Sequence, residues 1–483
     1  MDLGAKDSPK FARISLKKFY GAMMQNISFD ECVALLKSLS VAPMGTERVF
    51  LSECVGRVLC EDILATSDNP KFHTSNMDGY AFNSSDLEAL QSVGLKIASV
   101  NKAGNAESCT IQQGECIKTF TGAKMPQNAD CLAIVEQVEV KNGRIFLITE
   151  SDIKKDSRGS IFDEKSGLCS HEQGNKTDSS IDEASGKLHD LSHPAGCKAL
   201  AEAKKDNAQW NHIRKVGENY KQGDILLPQN TILTPFSIPI LAQNHNILLS
   251  VYRRIRVGVL SGGDELIELG EIPKSQNYIY SSNNHALCAI VRALGAKPTL
   301  YPLLQDSPQH IRESIANALK DNDIVITTGG MSKGDFDFTK DIIREFGECI
   351  FSGVRIKPGK VIAHIKCGDD KHIFALPGNP SSSIVSFLLF GRIIMQKMLC
   401  QTPQIPIKKG KLLCDMDNNN NDRLCFDIAD LSVDDGFYAV LPRKNRSSYM
   451  INDFSGAFCI LAQKSYQKGD FVDIILLDDL LKL

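Results

Sequence analysis

Asp323–Phe338 reads DIVITTGGMSKGDFDF. The short apolar run Ile324-Val325-Ile326, bounded by turn residues, predicts a buried strand. It ends in two threonines and Gly329-Gly330, followed by Ser332, Gly334, Asp335 and Asp337. Glycine lets backbone N–H groups approach an anion closely, and successive amides in such a turn form a concave anion site. A strand that ends in an anion loop with carboxylates describes an active-site mouth. A plain turn is the structural alternative for Gly329-Gly330.

The neighbouring segments repeat the pattern. Arg256–Leu260 (RVGVL) starts an alternation of strand and helix, with helices predicted over 281–295, 307–319, 338–346 and 381–399. Strands are predicted over 298–304 and near Val361 and Ile373. Repeated βα units with apolar strands predict a doubly wound α/β domain, whose ligands sit outside the carboxyl ends of the strands. Four loops fall there: Ser261–Glu265, Gln305–Ser307, the Gly329-Gly330 loop and Leu376–Ser382. The last opens a helix, whose free N–H groups and positive dipole end suit an oxyanion. Asp264, Asp306 and Asp337 beside a phosphate-type site suit Mg²⁺, and Asp264 is the first candidate for metal binding or water activation. Both Asp264 and Asp306 are also compatible with capping a helix.

The rest of the chain divides by composition. Residues 1–26 read as a flexible basic leader without an apolar core for secretion. Ser28-Phe29-Asp30-Glu31 is a capping box that opens a helix. Short strands and glycine-rich turns predict a β-rich domain over 48–150. Residues 151–209 are polar, with too little apolar surface to offset the entropy of ordering, and read as a disordered insertion. It contains Cys169, His171, His189, His193 and Cys197; the last three, at i, i+4 and i+8, could share one helix face and hold Zn²⁺, but Pro194 falls inside that span, so solvated side chains are the preferred reading. Pro403 and Pro406 begin a C-terminal segment of short strands over 403–483, predicting a small β-barrel or sandwich. Arg443, Lys444 and Arg446 read as a solvated loop. Within 48–150, Asp78-Gly79 and Thr121-Gly122-Ala123 are explained equally well as turns and as site loops.

The bulk numbers exclude other classes. A chain of 483 residues is too long for one ordinary domain. A net charge of −3 offers no nucleic-acid surface. No apolar run reaches the ~18 residues of a membrane span. The 15 cysteines include no CxxC pair, which suggests reduced thiols in a cytoplasm.

Seven ordered motifs then identify a resemblance: SNMDGYA (75–81), TGAKMPQNAD (121–130), IRKVGEN (213–219), RVGVLSGGDEL (256–266), TTGGMSKGDFD (327–337), KPGK (357–360) and LPGNPSSS (376–383). The chain resembles the MoeA family of molybdopterin molybdenumtransferases, which includes the E domain of gephyrin. The resemblance covers nearly everything from Ser28 to Leu483 except the insertion. It implies a multidomain α/β plus β fold: an elongated linking domain (27–47 and 210–249), the β-rich domain, an α/β molybdopterin-binding domain (250–402) and the C-terminal barrel.

The resemblance also implies the chemistry. Adenylylated molybdopterin is hydrolysed with Mg²⁺ or Zn²⁺ assistance, and molybdate is inserted at the dithiolene. The implied assembly is an elongated homodimer whose cleft joins the α/β domain of one copy to the β-rich domain of the other. A molybdopterin adenylyltransferase and molybdoenzyme acceptors are the implied protein partners. Asp264, Glu218, Asp78 and Thr121 become the implied catalytic residues, and Asp264 and Asp306 the metal ligands. Gly329, Gly330, Ser332, Asp337, Pro377, Gly378, Asn379, Ser382, Lys357 and Lys360 become contacts to pterin phosphate or molybdate. The chain departs from the family pattern at Gly262, where a threonine is usual, and at Asn219 and Val361. Met331 and Lys333 vary the glycine loop. Two other readings stand beside the transferase: a non-catalytic scaffold, and a molybdopterin adenylyltransferase, which needs neither the SNMDGYA segment nor the barrel.

Overall fold

Ser28 starts the first helix as its sequence dictates. Its N–H and hydroxyl both reach Glu31 Oε2 at 2.8 Å, and the Glu31 N–H returns to Ser28 Oγ at 3.3 Å. This reciprocal cap contributes about 1 kcal/mol. The computed structural model describes residues 25–105, 109–148, 210–273, 275–305, 307–329, 339–368, 370–419, 422–434, 436–443 and 454–483. The 1–26 leader (apart from its last two residues) and the insertion with its cysteines and histidines lie outside them. The described residues form two compact units, one up to Asp62 together with Pro228–Leu483, the other within Ile63–Leu227.

The chain opens in the first unit with β1 (Gln25–Ile27), α1 (Phe29–Ser38) and β2 (Thr46–Phe50). It then builds the second unit from β3 (Ile63–Leu64), β4 (Thr74–Ser75), β5 (Gly79–Phe82), α2 (Leu87–Ser92), β6 (Leu95–Asn101), β7 (Glu115–Thr119), β8 (Cys131–Ile134), β9 (Val138–Lys141), β10 (Arg144–Leu147), β11 (Ile213–Arg214) and β12 (Ile225–Leu227). Six of these strands form one sheet in the order β8-β5-β7-β6-β10-β9. Phe82, Leu90, Leu95, Cys116 and Ile145 fill its core. Two short ladders, β4 with β11 and β3 with β12, bring residues 213–227 back to the sheet segment. The sequence places the start of the β-rich segment at 48; the compact unit begins at Ile63. The reason is long-range pairing, because β2 ladders with β13 (Leu248–Tyr252) of the first unit.

The first unit resumes with α3 (Ile238–Gln243), β13, β14 (Arg256–Ser261), β15 (Leu266–Ile267), β16 (Ile279–Tyr280), α4 (Asn283–Ala293), β17 (Lys297–Leu300), α5 (Pro308–Asp321), β18 (Ile324–Thr328) and α6 (Thr339–Ile342). Next come β19 (Glu348–Val354), β20 (Ile356–Lys357), β21 (Ala363–Cys367), β22 (Lys371–Leu376) and α7 (Pro380–Ser386), which runs through a π-helical turn at Phe387–Gly391 into α8 (Arg392–Met398). The main sheet has the order β1-β19-β21-β22-β18-β14-β17. Strand alternation splits its side chains between two cores. Val257, Val259, Ile324, Ile326, Phe374 and Leu376 pack with residues of α4, α7 and α8. Leu260, Val325, Ile373 and Ala375 pack with residues of α5 and α6. Helices on both faces are the doubly wound arrangement, and explain the apolar runs 257–260, 324–326 and 373–376 within β14, β18 and β22.

Two features differ from the sequence reading. The strand expected over 298–304 ends at Leu300. An unexpected strand, β19, enters antiparallel to β21, which itself is antiparallel to β22. Its apolar stretch is only Cys349-Ile350-Phe351, interrupted by Gly353, too short to stand out before its partners are known.

The remaining strands are β23 (Ile407–Leu412), β24 (Met416–Asp417), β25 (Leu424–Asp434), β26 (Phe437–Pro442), β27 (Ala457–Leu461), β28 (Ser465–Tyr466) and β29 (Phe471–Leu476), followed by α9 (Leu477–Leu480). The ladder β25-β26-β23-β29-β27 closes back onto β25, giving a five-stranded barrel. Closure removes the exposed edges of an open sheet. The barrel is joined to the main-sheet region by the β20–β25 ladder and by Phe29, whose ring lies 5.2 Å from Phe426 and 6.0 Å from Phe390. Arg443, expected in a solvated loop, is instead an ion-pair residue, with Nη2 2.6 Å from Asp430 Oδ1 and 2.9 Å from Ser455 Oγ.

His364 and His372 form a buried pair between β21 and β22, with Nε2 of the first 3.0 Å from Nδ1 of the second. Burial pushes both imidazoles down, His372 to about 4. One ring donates and the other accepts, and burial keeps both neutral at pH 7. The unfolded chain takes up protons near 6.5 and the folded chain does not. The stabilisation is therefore complete above pH 6.5 and is lost as the pH falls from 6.5 towards 4, by about 3 kcal/mol for His372 alone. The expected result is a urea midpoint that drops more between pH 7 and pH 4.5 in the wild type than in His372→Gln. Equal drops would refute this.

Candidate functional site

Strands β22, β18, β14 and β17 are adjacent and parallel, so their carboxyl ends share one edge. The loops there are packed together by their backbones. The Gly262 N–H donates to Thr328 O at 2.9 Å, and the hydroxyls of Ser261 and Thr328 lie 2.9 Å apart, both buried. The Leu304 N–H donates to Ser261 O at 2.8 Å, bringing the β17 loop alongside. Gly329 has φ +87°, and a Cβ on it would lie 2.2 Å from the Gly262 carbonyl oxygen. A Cβ on Gly378 would in turn lie 3.6 Å from Gly329 Cα. The three glycine-bearing loops thus lie side by side, and at Gly329 the approach to Gly262 leaves no room for a side chain, whereas Gly378 has space for a methyl.

Asp264 sits in the exposed turn after β14, which is closed by the Leu266 N–H on Gly263 O at 2.9 Å. The next element is strand β15, so the helix-capping alternative for Asp264 is excluded. Gly330, Met331, Ser332, Lys333, Asp337 and Asp306 lie outside the described residues.

On the other flank, Asn379 is the extended N-cap residue of α7 and Pro380 its first position, where a missing N–H costs nothing. Gly378 is exposed, Pro377 half-buried, and Ser382 buried. The KPGK turn leans on this helix start. Gly359 has φ +107°, and a Cβ there would lie 2.4 Å from Ser386 Oγ and 3.4 Å from Ser382 O. Lys357, half-buried at the end of β20, and exposed Lys360 therefore lie on a turn packed against α7.

The second unit gathers its own candidates. Asp78 Oδ1 accepts both the N–H and the hydroxyl of Thr121, each at 2.8 Å. Beneath this contact, the Gly122 N–H donates to Ser75 O at 2.8 Å and the Ser75 N–H to Ala123 O at 3.0 Å. The SNMDGYA and TGA segments are thus one stapled platform rather than two independent turns. The third motif joins through β4–β11, with Ile213 opposite Ser75. Glu218 is exposed, and its Oε2 accepts the Lys215 N–H at 2.7 Å, so it shapes its own turn. Asn219, at a departure from the family pattern, donates its N–H to Asn69 O at 2.9 Å.

The Thr121 N–H and then its hydroxyl hold the Asp78 carboxyl below its usual range, so Asp78 is an anion at neutral pH. In Thr121→Val the hydroxyl bond is lost and the N–H bond kept. Carbon-13 titration is expected to show the Asp78 midpoint moving up but staying below that of an unbonded aspartate. No movement would show that the hydroxyl bond is absent in solution.

Among the described residues no group of three or more His, Cys, Asp or Glu side chains could hold a metal by itself. An exposed aspartate such as Asp264 is chemically suited to a hard cation that takes its remaining ligands from water or a bound molecule, the mode typical of Mg²⁺. One rim residue escaped the sequence reading. Asn283, taken only as part of a helix start, donates its Nδ2 to Gly378 O at 2.6 Å. Its only local signal is an amide at a helix start whose N-cap, Ser282, makes no side-chain cap bond.

Residues 27–244 match the MoeA N-terminal region (domain I and II), and residues 258–397 match a probable molybdopterin binding domain. A molybdopterin molybdenumtransferase of Haemophilus influenzae is 31% identical over 74% of this chain and 74% of its own length. One from Nostoc is 30% identical over 73% of this chain and 69% of its own. A solved MoeA protein from Pyrococcus horikoshii shares the fold with a TM-score of 0.69 and 23% identity, over 93% of this chain and 100% of that one. These matches span the segments that carry the glycine rim and the motifs at 75–81 and 121–130, and the chain belongs to the MoeA family of molybdopterin molybdenumtransferases.

Proposed function

We propose that this enzyme of molybdenum cofactor biosynthesis hydrolyses adenylylated molybdopterin and inserts molybdate into its dithiolene. The observation that carries the reading is the packed rim of Gly262, Gly329 and Gly378, with Asp264 exposed beside it. Backbone amides of the Gly329 and Gly378 loops, with Lys357 and Lys360, bind the anionic groups of pterin phosphate and molybdate. Pro377, Asn379 and Ser382 shape the same wall, and Gly330, Ser332 and Asp337 are assigned further contacts to the substrate. Asp264 and Asp306 would hold Mg²⁺ or Zn²⁺, which when bound supplies charge neutralisation at the phosphate. Asp264 also orients the attacking water. Asp78, kept anionic by Thr121, and Glu218 add carboxylates that orient substrate donors.

In this reading the enzyme works as a cytoplasmic homodimer. It takes its substrate from a molybdopterin adenylyltransferase and passes the cofactor to molybdoenzymes. Thirteen cysteines among the described residues are all free, which supports a reducing compartment. No helix of the described residues is long and apolar enough to cross a membrane. Light scattering at twice the 53.1 kDa chain mass checks the dimer. The test of the activity is reconstitution with purified protein, adenylylated molybdopterin, molybdate and Mg²⁺, read as AMP release and active cofactor. AMP release without molybdenum insertion would refute the second half of the reaction alone, and neither product would refute the assignment.

A further inference from the structure

We propose that Asn283 is a positioning residue for this reaction, holding the Gly378 carbonyl and through it the wall on which the substrate anion rests. The inference rests on the rim being the substrate site. Asn283 is the first residue of α4, yet its side chain serves a loop 95 residues away, donating to Gly378 O at 2.6 Å. Gly378 is exposed and is the most conformationally free residue of its loop. Because the peptide unit is planar, fixing the Gly378 carbonyl also fixes the N–H side of the link to Asn379, the N-cap of α7.

The same residue is tied to Asp264. Beyond the Asp264 turn, β15 runs parallel to β16, with the Ile279 N–H on Glu265 O and the Ser281 N–H on Ile267 O, both at 2.9 Å. Asn283 follows two residues later. The contacts then close a ring: the Asp264 turn, β15–β16, Asn283, Gly378, Gly329 and Gly262, which precedes Asp264. Asn283 therefore sets the spacing between the candidate catalytic carboxylate and the anion wall. Its Oδ1 is buried and has no protein partner, so the fold uses only the donor end of this amide. A side chain present only to cap its helix would place its acceptor on a backbone N–H of that helix.

The test uses full-length Asn283→Ala and the isosteric Asn283→Asp, which lacks the donor, beside wild type and Asp264→Ala. In the reconstitution assay both Asn283 variants are expected to raise KM for adenylylated molybdopterin about tenfold, with kcat within about threefold. Hydrogen exchange of Leu376–Ser383 amides is expected to accelerate in both. If Asn283→Ala does not fold, Asn283→Asp carries the comparison. A purely structural role would lower Tm and leave KM of the folded fraction unchanged. KM within about twofold of wild type in the folded variants, or unchanged exchange, overturns the proposal. An active Asp264→Ala overturns the rim reading itself; an inactive Asp264→Ala with normal Asn283 variants overturns only this inference.

Discussion

Asp264→Ala is expected to lower turnover of adenylylated molybdopterin by about three orders of magnitude while leaving the fold intact. The fold half of the expectation follows from exposure. Asp264 lies in a surface turn that the Leu266 N–H closes onto Gly263 O, a bond the substitution leaves in place. Exposed substitutions of this kind change stability by about 0.5 kcal/mol or less. The activity half follows from place. The turn leaves β14 between the loops after β17 and β18, beside the glycine wall, where the proposed function gives its carboxylate a cation or a water to hold. Asp264→Asn keeps the shape and loses the charge, and it is expected to fall nearly as far. Asp264→Glu, with charge restored on a longer arm, is expected to recover part of the loss. Circular dichroism and Tm check the fold, and AMP release checks the chemistry. Turnover of either neutral variant within tenfold of wild type would remove Asp264 from the reaction.

The legible and illegible parts of this molecule separate by the range of the interaction that makes them. The Ser28–Glu31 box is a contact three residues long, and sequence alone specifies it. Strands β14, β18 and β22 announce themselves because helices cover both faces, leaving unbroken apolar runs. Once they are placed, the shared edge of their loops follows from the geometry of parallel sheets. β19 is not legible, because its place is fixed by an antiparallel ladder to β21 and a parallel one to β1 rather than by its own pattern. The Asp78–Thr121 bond joins residues 43 apart, and composition favoured a turn at each end as much as a site. Only the ordered set of family motifs marks both as site loops from the sequence. Asn283 had no such help, since its partner Gly378 is set by the packing of the whole unit.

Gly329→Ala should be the most damaging single methyl on the rim. The residue has φ +87°, where a Cβ strains the backbone by about 1–2 kcal/mol. The larger cost is steric. The new Cβ would sit 2.2 Å from the Gly262 carbonyl oxygen and 3.2 Å from its carbon, and neither is a side chain that can rotate away. The β14 and β18 loops must separate, against the Gly262 N–H bond to Thr328 O and the Ser261–Thr328 hydroxyl contact that hold them. The combined destabilisation is expected near 3 kcal/mol, a fall of several degrees in Tm. A displacement of about 1 Å in the wall that faces Asp264 is expected to cost about a hundredfold in turnover even in the folded fraction. Gly378→Ala is the internal control for stability. Its Cβ would find only Gly329 Cα at 3.6 Å and Gly329 N at 4.0 Å, ordinary contact distances, so its Tm should stay close to wild type. If Gly329→Ala instead melts with Gly378→Ala and turns over normally, the two loops do not touch in solution. The rim would then have to be assembled by the substrate rather than presented to it.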